Sequence, residues 1–420
     1  MKKIAFSKTK IIIVIVLTVT LLLFCVACKQ KDNSDSSNPP SPNPPQHTHE
    51  FTKKNTDEKF IHTQPTCYDS AIYFLSCACG EKSDQTFQYG NPLGHDLKDH
   101  VCIRCEISTK GLIFTPNGNA FTVSGYDLDI TSKTLIPAVH EQKPVTAIGN
   151  NAFNNCDVLN TIEISSSIST LGANSFENCS ALKNIMLSPS IKTLPKLTFS
   201  DCTSLTSITI PNGIEVLESG IFYGCTSLAS VQLPNSIVSI DTTVFANTAI
   251  QNNISNYENN VLYIGKYLIN ATAPISNEYT IKDGTKLIAG GAFKNCTSLV
   301  KINIPDSVVE IGRCAFEDCP NLTEVNFGEN SALKVIRPNA FAGCESLGSF
   351  TITKQVNYIG SWAFIGCPLT HVNFLNVTNW YYHPNAEASV TIPHTQLFNK
   401  ENCATLLTKD YVNYSLSRKA

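Results

Sequence analysis

Charged residues are scarce in this sequence of 420 residues. Asp, Glu, Lys and Arg together make up only 15% of it, and the formal net charge is -3. A protein that binds nucleic acid through its phosphates needs a clustered excess of Lys and Arg. The chain has no such excess, so we expect no nucleic-acid partner.

The residue patterns of common catalytic sites are also missing. The sequence contains no recognisable Ser, His and Asp set and no pair of carboxylates at a recurring place. Gly265-Lys266 does not form a phosphate-binding loop, because the upstream glycine of that motif is absent. Catalysis requires groups that converge in a pocket, so the sequence predicts a protein that is not an enzyme.

The dominant feature of the chain is a segment that returns about every 23 residues, and its first copy is Ile148–Ile164. A phenylalanine marks nine copies, and in eight of them a cysteine follows three residues later. The phenylalanines are Phe153, Phe176, Phe199, Phe222, Phe245, Phe293, Phe316, Phe341 and Phe364, and the cysteines are Cys156, Cys179, Cys202, Cys225, Cys296, Cys319, Cys344 and Cys367. A fixed period of about 20 to 50 residues is typical of stacked, solenoid repeats.

The last part of each copy alternates apolar and polar residues, which predicts a strand with one buried face. In Leu205–Pro211 we expect Ile208 and Ile210 to point inward and Ser207 and Thr209 to point outward. The recurring Phe, Cys and Leu are interpreted as interior residues. We expect the cysteines of this column to act as small buried hydrophobes rather than as redox or metal groups.

Read as I-G-x-x-A-F-x-x-C-x-x-L-x-x-I-x-I-P, the repeat resembles the BspA-type leucine-rich repeat of bacterial surface proteins over roughly residues 112–375. The resemblance and the period predict a mainly β, leucine-rich-repeat solenoid of about nine turns and one diverged turn that contains a hairpin. The resemblance also implies a cell-surface protein that adheres to host or matrix proteins or to other cells.

The order of these features predicts six segments. They are a lipoprotein signal peptide at 1–28, a Pro/Ser-rich linker at 29–48, a small Cys/His module of zinc-ribbon-like type at 49–108, a β-rich N-terminal cap at 109–147, the repeats at 148–375 with an insertion at 249–287, and a C-terminal cap at 376–420. Within the last segment, Thr395–Leu407 is predicted to form a short amphipathic helix.

Residues 1–28 have the composition of an export signal, with a lysine-bearing start and an apolar run over Ile11–Val26. Because Cys28 directly follows Ala27, the segment resembles a lipoprotein signal. That resemblance implies lipidation of Cys28 and a lipid anchor in the cell membrane, with the protein on its extracellular face. An uncleaved membrane anchor is the alternative, because the apolar run nearly reaches spanning length.

The module that follows holds five cysteines but few large apolar residues, so it needs a staple. Two pairs of cysteines that are close in sequence have the spacing of tetrahedral zinc ligands. The predicted ligands of a structural Zn²⁺ are Cys77, Cys79, Cys102 and Cys105, with His95 or His49 able to replace one of them. Disulfides are the alternative, because an exported chain lies in an oxidising compartment.

A ligand-binding surface is expected at positions that point outward or do not repeat. Outward strand residues are mostly small, polar and uncharged, which suits an extracellular protein or glycan ligand. The candidates are Ser207, Thr209, Ser230, Gln232 and Asn303 on the strands, and Tyr263 and Tyr267 on the hairpin predicted around Gly265-Lys266. The alternatives are that these tyrosines pack on the solenoid and that the whole protein is a passive surface scaffold.

Overall fold

The computed structural model describes residues 50–67, 70–91, 93–385 and 388–418. The predicted signal peptide and linker, with Cys28, lie outside these residues, as does His49. The chain divides into two compact units, Met1–Gly94 and His95–Ala420. This division falls inside the predicted 49–108 module. The segment that carries its last two cysteines therefore belongs to the unit that contains the repeats.

The first unit contains a small antiparallel sheet. Its strands are β1 Lys53–Lys54, β2 Ile61–Thr63, β3 Ala71–Ser76 and β4 Lys82–Tyr89. Strand β3 pairs with each of the other three. Phe60, the last residue of the 3-10 helix Glu58–Phe60, is fully buried and is the largest apolar side chain in the core of this unit.

Short strands make up most of the second unit. Up to the insertion they are β5 Leu97–Lys98, β6 Val101–Cys102, β7 Leu112–Asn117, β8 Ala120–Tyr126, β9 Lys133–Ile136, β10 Val139–His140, β11 Lys143–Ile148, β12 Thr161–Ile164, β13 Thr170–Leu171, β14 Asn184–Met186, β15 Ser207–Thr209, β16 Val216–Leu217, β17 Ser230–Gln232 and β18 Ser239–Ile240. From the insertion onward they are β19 Tyr257–Glu258, β20 Val261–Ile264, β21 Tyr267–Ala271, β22 Glu278–Thr280, β23 Leu287–Ile288, β24 Lys301–Ile304, β25 Glu310–Ile311, β26 Glu324–Phe327, β27 Val335–Ile336, β28 Ser349–Ile352, β29 Tyr358–Ile359, β30 His371–Phe374, β31 Trp380–His383, β32 Val390–Thr391 and β33 Ser415–Arg418.

Helical segments in this unit are few and short. They are α1 Ala249–Asn252, α2 His394–Leu397 and α3 Lys400–Thr405, with a 3-10 turn at Ile254–Asn256 and a π-helical turn at Leu406–Asp410. Among the described residues, no helix has the length and apolar content needed to cross a membrane.

Most turns of the solenoid add one strand to what we call the long-strand face, which consists of β9, β12, β14, β15, β17, β22, β24, β26, β28 and β30. These strands form four separate parallel ladders. In order, the ladders are β9-β12-β14, β15-β17, β22-β24-β26 and β28-β30. Residues one repeat apart lie opposite each other, as Ser207 does to Ser230. The predicted alternation is confirmed, because Ile208 and Ile210 are buried and Thr209 is exposed.

Two-residue strands form separate parallel ladders along the next side of the solenoid. Strand β16 pairs with β18, and β23, β25, β27 and β29 belong to what we call the second sheet. The Ile-Gly step of the repeat follows several of these strands. A side chain at Gly360 would overlap the backbone nitrogen of Pro338 in the preceding turn. Glycine at this step therefore lets consecutive turns approach closely.

The Phe-x-x-Cys segments form the third side, where the phenylalanine rings stack inside the core. Within Phe153–Phe245 and again within Phe293–Phe364, neighbouring rings are nearly parallel, with centroids 5.1 to 5.8 Å apart. Tyr126 extends the first stack into the N-terminal cap at 6.1 Å. The rings stay in register even between Phe316 and Phe341, which are 25 residues apart.

The cysteines of the repeat are buried, and they also make a hydrogen bond that was not predicted from the sequence. The thiol of Cys179 donates to the carbonyl oxygen of Phe153, in the preceding turn, at 3.1 Å. The same bond recurs at 3.0 to 3.2 Å from Cys202, Cys225, Cys319, Cys344 and Cys367. Burial raises the pKa of the Cys319 thiol to about 12, so the thiol stays protonated and can donate at neutral pH.

The diverged turn at 249–287 contains the predicted hairpin. Strands β20 and β21 pair antiparallel around Gly265-Lys266, and β21 continues in parallel into the second sheet through β23. Thr248, which replaces the cysteine, donates its hydroxyl to the carbonyl of Phe245 and caps α1 by accepting from Gln251 N. The buried core divides into two clusters at this turn.

The C-terminal cap closes the far end of the second sheet. Strand β33 pairs antiparallel with β29 and β31, which covers the edge left by the last repeat. Trp380 is fully buried beneath it. The predicted helix at Thr395–Leu407 is interrupted at Asn399, whose side chain accepts hydrogen bonds from the first backbone amides of α3.

Replacing Phe199 by alanine should lower the free energy of unfolding by about 3–5 kcal/mol, because the ring is fully buried between Phe176 and Phe222. Tyr223→Ala is the control, because that side chain is 39% exposed and its loss should cost only about 0.5 kcal/mol. Urea denaturation of both variants measures the difference. Equal losses would contradict the stacking described here.

Candidate ligand-binding face and metal site

Four of the predicted ligand-binding residues form an exposed, uncharged patch on β15 and β17. Ser207 and Ser230 lie opposite each other, as do Thr209 and Gln232, and all four side chains are exposed. The Thr209 hydroxyl donates to Oε1 of Gln232 at 3.2 Å. Met186 precedes Thr209 by one turn in the same outward column, and its side chain is 54% exposed.

Asn303, the fifth predicted strand residue, lies in a different environment. It is half-buried on β24, where its amide donates to Oε1 of Glu278 at 3.0 Å and accepts from Asn326 at 3.0 Å. The ammonium group of Lys301 lies 3.5 Å from Glu278 and 3.6 Å from Glu324. The Asn303 amide and the Lys301 charge lower the pKa of Glu278. This half of the face is charged, and its side chains already bind one another.

The two hairpin tyrosines are mainly packing residues, which corrects the predicted set. Tyr267 is only 2% exposed and donates its hydroxyl to the carbonyl oxygen of Pro234 at 2.6 Å, so a surface ligand does not reach it. Tyr263 is half-buried, its hydroxyl lies 3.1 Å from that of Tyr279, and the Lys282 ammonium lies 4.6 Å from its ring centroid. Tyr263 alone keeps an accessible surface.

The predicted metal ligands separate into two sets. Cys77 and Cys79 are joined by a disulfide in the first unit. These two cysteines are therefore not the predicted zinc ligands. This half of the module contains a disulfide, as the alternative interpretation expected. Cys67 is buried in the same unit and lies outside that disulfide.

In the second unit, His95, Cys102 and Cys105 lie together at the hairpin formed by β5 and β6. Their donor atoms lie within 4.8 Å of one another, and Sγ of Cys105 is 3.3 Å from Nδ1 of His95. Thiolate and imidazole donors at such distances fit Zn²⁺ chemically. We call these three residues the Cys/His cluster.

Glu163 connects this cluster to the first repeat, and it was not among the predicted site residues. Its Oε2 lies 2.7 Å from Nε2 of His95. Glu163 points outward from β12, next to the end of the solenoid. A carboxylate bound to one imidazole nitrogen orients the other nitrogen toward a metal, and here that other nitrogen faces Cys105.

The surroundings of the Cys/His cluster favour a negatively charged thiolate at Cys102 and a positively charged imidazolium at His95. Burial opposes the thiolate of Cys102, but the backbone amides of Arg104 and Cys105 and the His95 side chain outweigh it, and the pKa of Cys102 is lowered to about 5. Burial likewise opposes an imidazolium at His95, but hydrogen bonds with Cys102 and Glu163 raise the pKa of His95. A deprotonated thiol is the form that binds a metal ion.

The fold, the 23-residue register and the inward Phe, Cys and Leu columns define a leucine-rich-repeat solenoid. The family described as the BspA type leucine rich repeat region matches residues 133–251 and 263–385, in six copies and over more than half of the sequence. The chain belongs to this family. No curated protein matches it.

Several solved structures are similar. A leucine-rich repeat protein of T. pallidum is 21% identical and covers 56% of this chain and 87% of its own, with a TM-score of 0.31. A leucine-rich cell surface protein of Faecalibacterium prausnitzii A2-165 is 24% identical. The match covers 63% of this chain and 93% of that protein, with a TM-score of 0.31. The pneumococcal vaccine antigen PcpA is 18% identical. The match covers 64% of this chain and 84% of that protein, with a TM-score of 0.29. These low TM-scores add nothing to the family assignment.

Proposed function

We propose that this protein is a cell-surface binding protein that holds an extracellular protein ligand on the long-strand face, and so adheres to host or matrix proteins or to other cells. The observation that carries the proposal is the exposed, uncharged patch of Ser207, Thr209, Ser230 and Gln232 on a regular sheet. Membership of the BspA-type family supports it.

The physical properties of the patch suit protein recognition. Its serine and threonine side chains lose little conformational freedom on binding, and its hydroxyl and amide groups can both donate and accept hydrogen bonds. Met186 adds an exposed apolar side chain beside them, and methionine is enriched at protein interfaces. The patch stands on strands held by the buried stack, so the ligand meets a surface that is already ordered.

We also propose that the protein is attached to the cell membrane through a lipid on Cys28. This proposal rests on the signal-like composition of residues 1–28 and on the position of Cys28 directly after Ala27. The Pro/Ser-rich residues 29–48 would then act as an extended spacer, which holds the binding face away from the lipid surface.

A third proposal concerns structural zinc at the Cys/His cluster. Nδ1 of His95 and the thiolates of Cys102 and Cys105 would hold the ion, and Glu163 would orient His95 from the first repeat. Structural zinc takes four ligands. The Cys/His cluster supplies three of them.

Thr209→Arg and Gln232→Arg should each weaken binding to a purified matrix protein by at least about tenfold, because a long charged side chain would fill the uncharged patch. A panel of immobilised extracellular-matrix proteins identifies the ligand, and surface plasmon resonance measures affinity. Thr226→Arg is the control, because Thr226 is exposed next to Cys225, outside the long-strand face, in the repeat that contains Gln232. Undiminished binding by the first two variants would refute the proposed site. If the protein forms oligomers at higher protein concentration and binds no ligand, the result would favour a passive scaffold.

Cys28→Ser should release the protein from whole cells into the medium, because the substituted residue cannot be lipidated. Immunoblotting of the membrane and medium fractions measures the distribution. Cys25→Ser is the matched control, because it alters a cysteine of the same segment and leaves Cys28 in place. Retention of the Cys28→Ser protein in the membrane fraction would support the uncleaved anchor instead.

The full chain, purified under reducing conditions, should contain about one zinc ion, because structural sites hold Zn²⁺ tightly. His95→Ala and Cys102→Ser should lose the metal, and Glu163→Gln should weaken affinity about 10- to 100-fold in competition with a chelator. Glu324→Gln is the matched control on the same face. Absence of zinc from this sample, with Cys102 and Cys105 present as free thiols, would exclude this site.

A further inference from the structure

One turn of the solenoid is longer than its neighbours, and a cleft opens beside it. The step from Phe316 to Phe341 is 25 residues instead of 23. Alignment with the preceding turn places the two extra residues between Phe327 and Leu333. The loop that they enlarge, together with β26, β28 and the residues that follow β28, lines a cavity of about 450 Å³.

The long-strand face is open at this cleft. Within the described residues, no backbone ladder joins β26 to β28, although they belong to consecutive turns. Phe327 and Phe350 occupy inward positions that hold isoleucine in several other turns. The Phe350 ring packs 5.0 Å from Phe341 and 4.8 Å from Phe364 and contacts Phe327 edge-on at 5.7 Å. These bulky rings and the longer loop lie beside the gap between the two strands. A similar opening between β14 and β15 occurs in turns of ordinary length.

The cleft contains a polar group that the protein itself leaves unsatisfied. Thr353 lines the cavity and is only 5% exposed, and its Oγ1 has no hydrogen-bond partner in the described part of the chain. A buried hydroxyl without a partner is costly. Such groups are uncommon in native proteins, so this one points to a partner that comes from outside the chain.

The other lining residues determine what kind of partner fits. Asn326, Thr351 and Gln355 contribute amide and hydroxyl groups. Phe327 is half-buried and Leu375 is exposed, so the same cleft also offers apolar surface. Glu329 and Lys354 place opposite charges at the cleft, which gives no net preference for an ion of either sign.

We propose that this cleft binds a carbohydrate. A sugar ring carries closely spaced hydroxyl groups that both donate and accept hydrogen bonds, as amides and hydroxyls require, and its C–H faces pack on apolar side chains. The Thr353 hydroxyl would gain a partner, and a cavity of about 450 Å³ lies within the size of ordinary small-ligand sites. The cleft lies apart from the Ser207–Gln232 patch, so this inference goes beyond the proposed protein-binding function and can fail independently of it.

The test uses the full chain on an array of defined neutral and amino-sugar oligosaccharides, beside an array of random peptides. The soluble oligosaccharide with the strongest signal is then titrated by calorimetry. Thr353→Val removes only the buried hydroxyl and keeps the shape of the side chain. Gln355→Ala changes an exposed lining residue. Thr206→Val is the matched control, since it makes the same substitution at an exposed threonine of another turn.

Wild-type protein should retain a class of oligosaccharide, and Thr353→Val should weaken its binding by about tenfold because one hydrogen bond to the ligand is lost. Gln355→Ala should weaken it as well, and Thr206→Val should leave it unchanged. Thr353→Val should melt no lower than wild type, since the hydroxyl has no partner in the protein. The proposal is overturned if no oligosaccharide is retained, if only peptides bind, or if both threonine variants reduce binding equally.

Discussion

A phenylalanine ring stacks on the ring of the next turn, and a thiol reaches the carbonyl of the previous one, because the inward columns of consecutive turns stay in register. The longer turn keeps this register, since Phe316 stacks on Phe341 and Cys344 donates to the carbonyl of Phe316. This register is the constraint on which the solenoid depends. Because a single turn buries too little apolar surface to offset the entropy of ordering its residues, each turn is stable only through its neighbours. The S–H bond from Cys202 to Phe176 and the ring contact from Phe199 to Phe176 hold the same pair of turns together.

The surface changes character where the chain departs from the 23-residue repeat length. The diverged turn at 249–287 divides the core into two clusters and inserts a hairpin whose tyrosines pack inward. The two extra residues after Phe327 accompany an open sheet and a polar cleft. At the N-terminal end, Glu163 uses an outward position of the first repeat strand to hold His95. The repeated columns fill the interior, and the positions that differ between turns carry the candidate sites.

Much of the solenoid could be predicted from its sequence, because a period and an alternation are local properties of the chain. Ile208 and Ile210 are buried, and the hairpin turns at Gly265-Lys266, as their patterns predict. The sites were less predictable because they depend on distant pairs. Glu163 and His95 are 68 residues apart, and a tyrosine such as Tyr267 has the same local pattern whether it binds a ligand or packs on Pro234. Cys77 and Cys79 could equally have bound zinc or each other.

Hydrogen exchange of backbone amides tests most directly whether the long-strand face is interrupted at the longer turn while the core continues through it. Thr351 lies on β28, the strand that follows the longer turn. Its equivalents are Asn326 one turn earlier and Asn373 one turn later. Each of these two residues lies in a strand that pairs with the strand of the preceding turn. The amide of Thr351 should exchange at least about a hundredfold faster than those two, because no ladder joins β28 to β26. Equal protection at all three amides would contradict this, since it would mean that the sheet continues unbroken through a turn of unequal length.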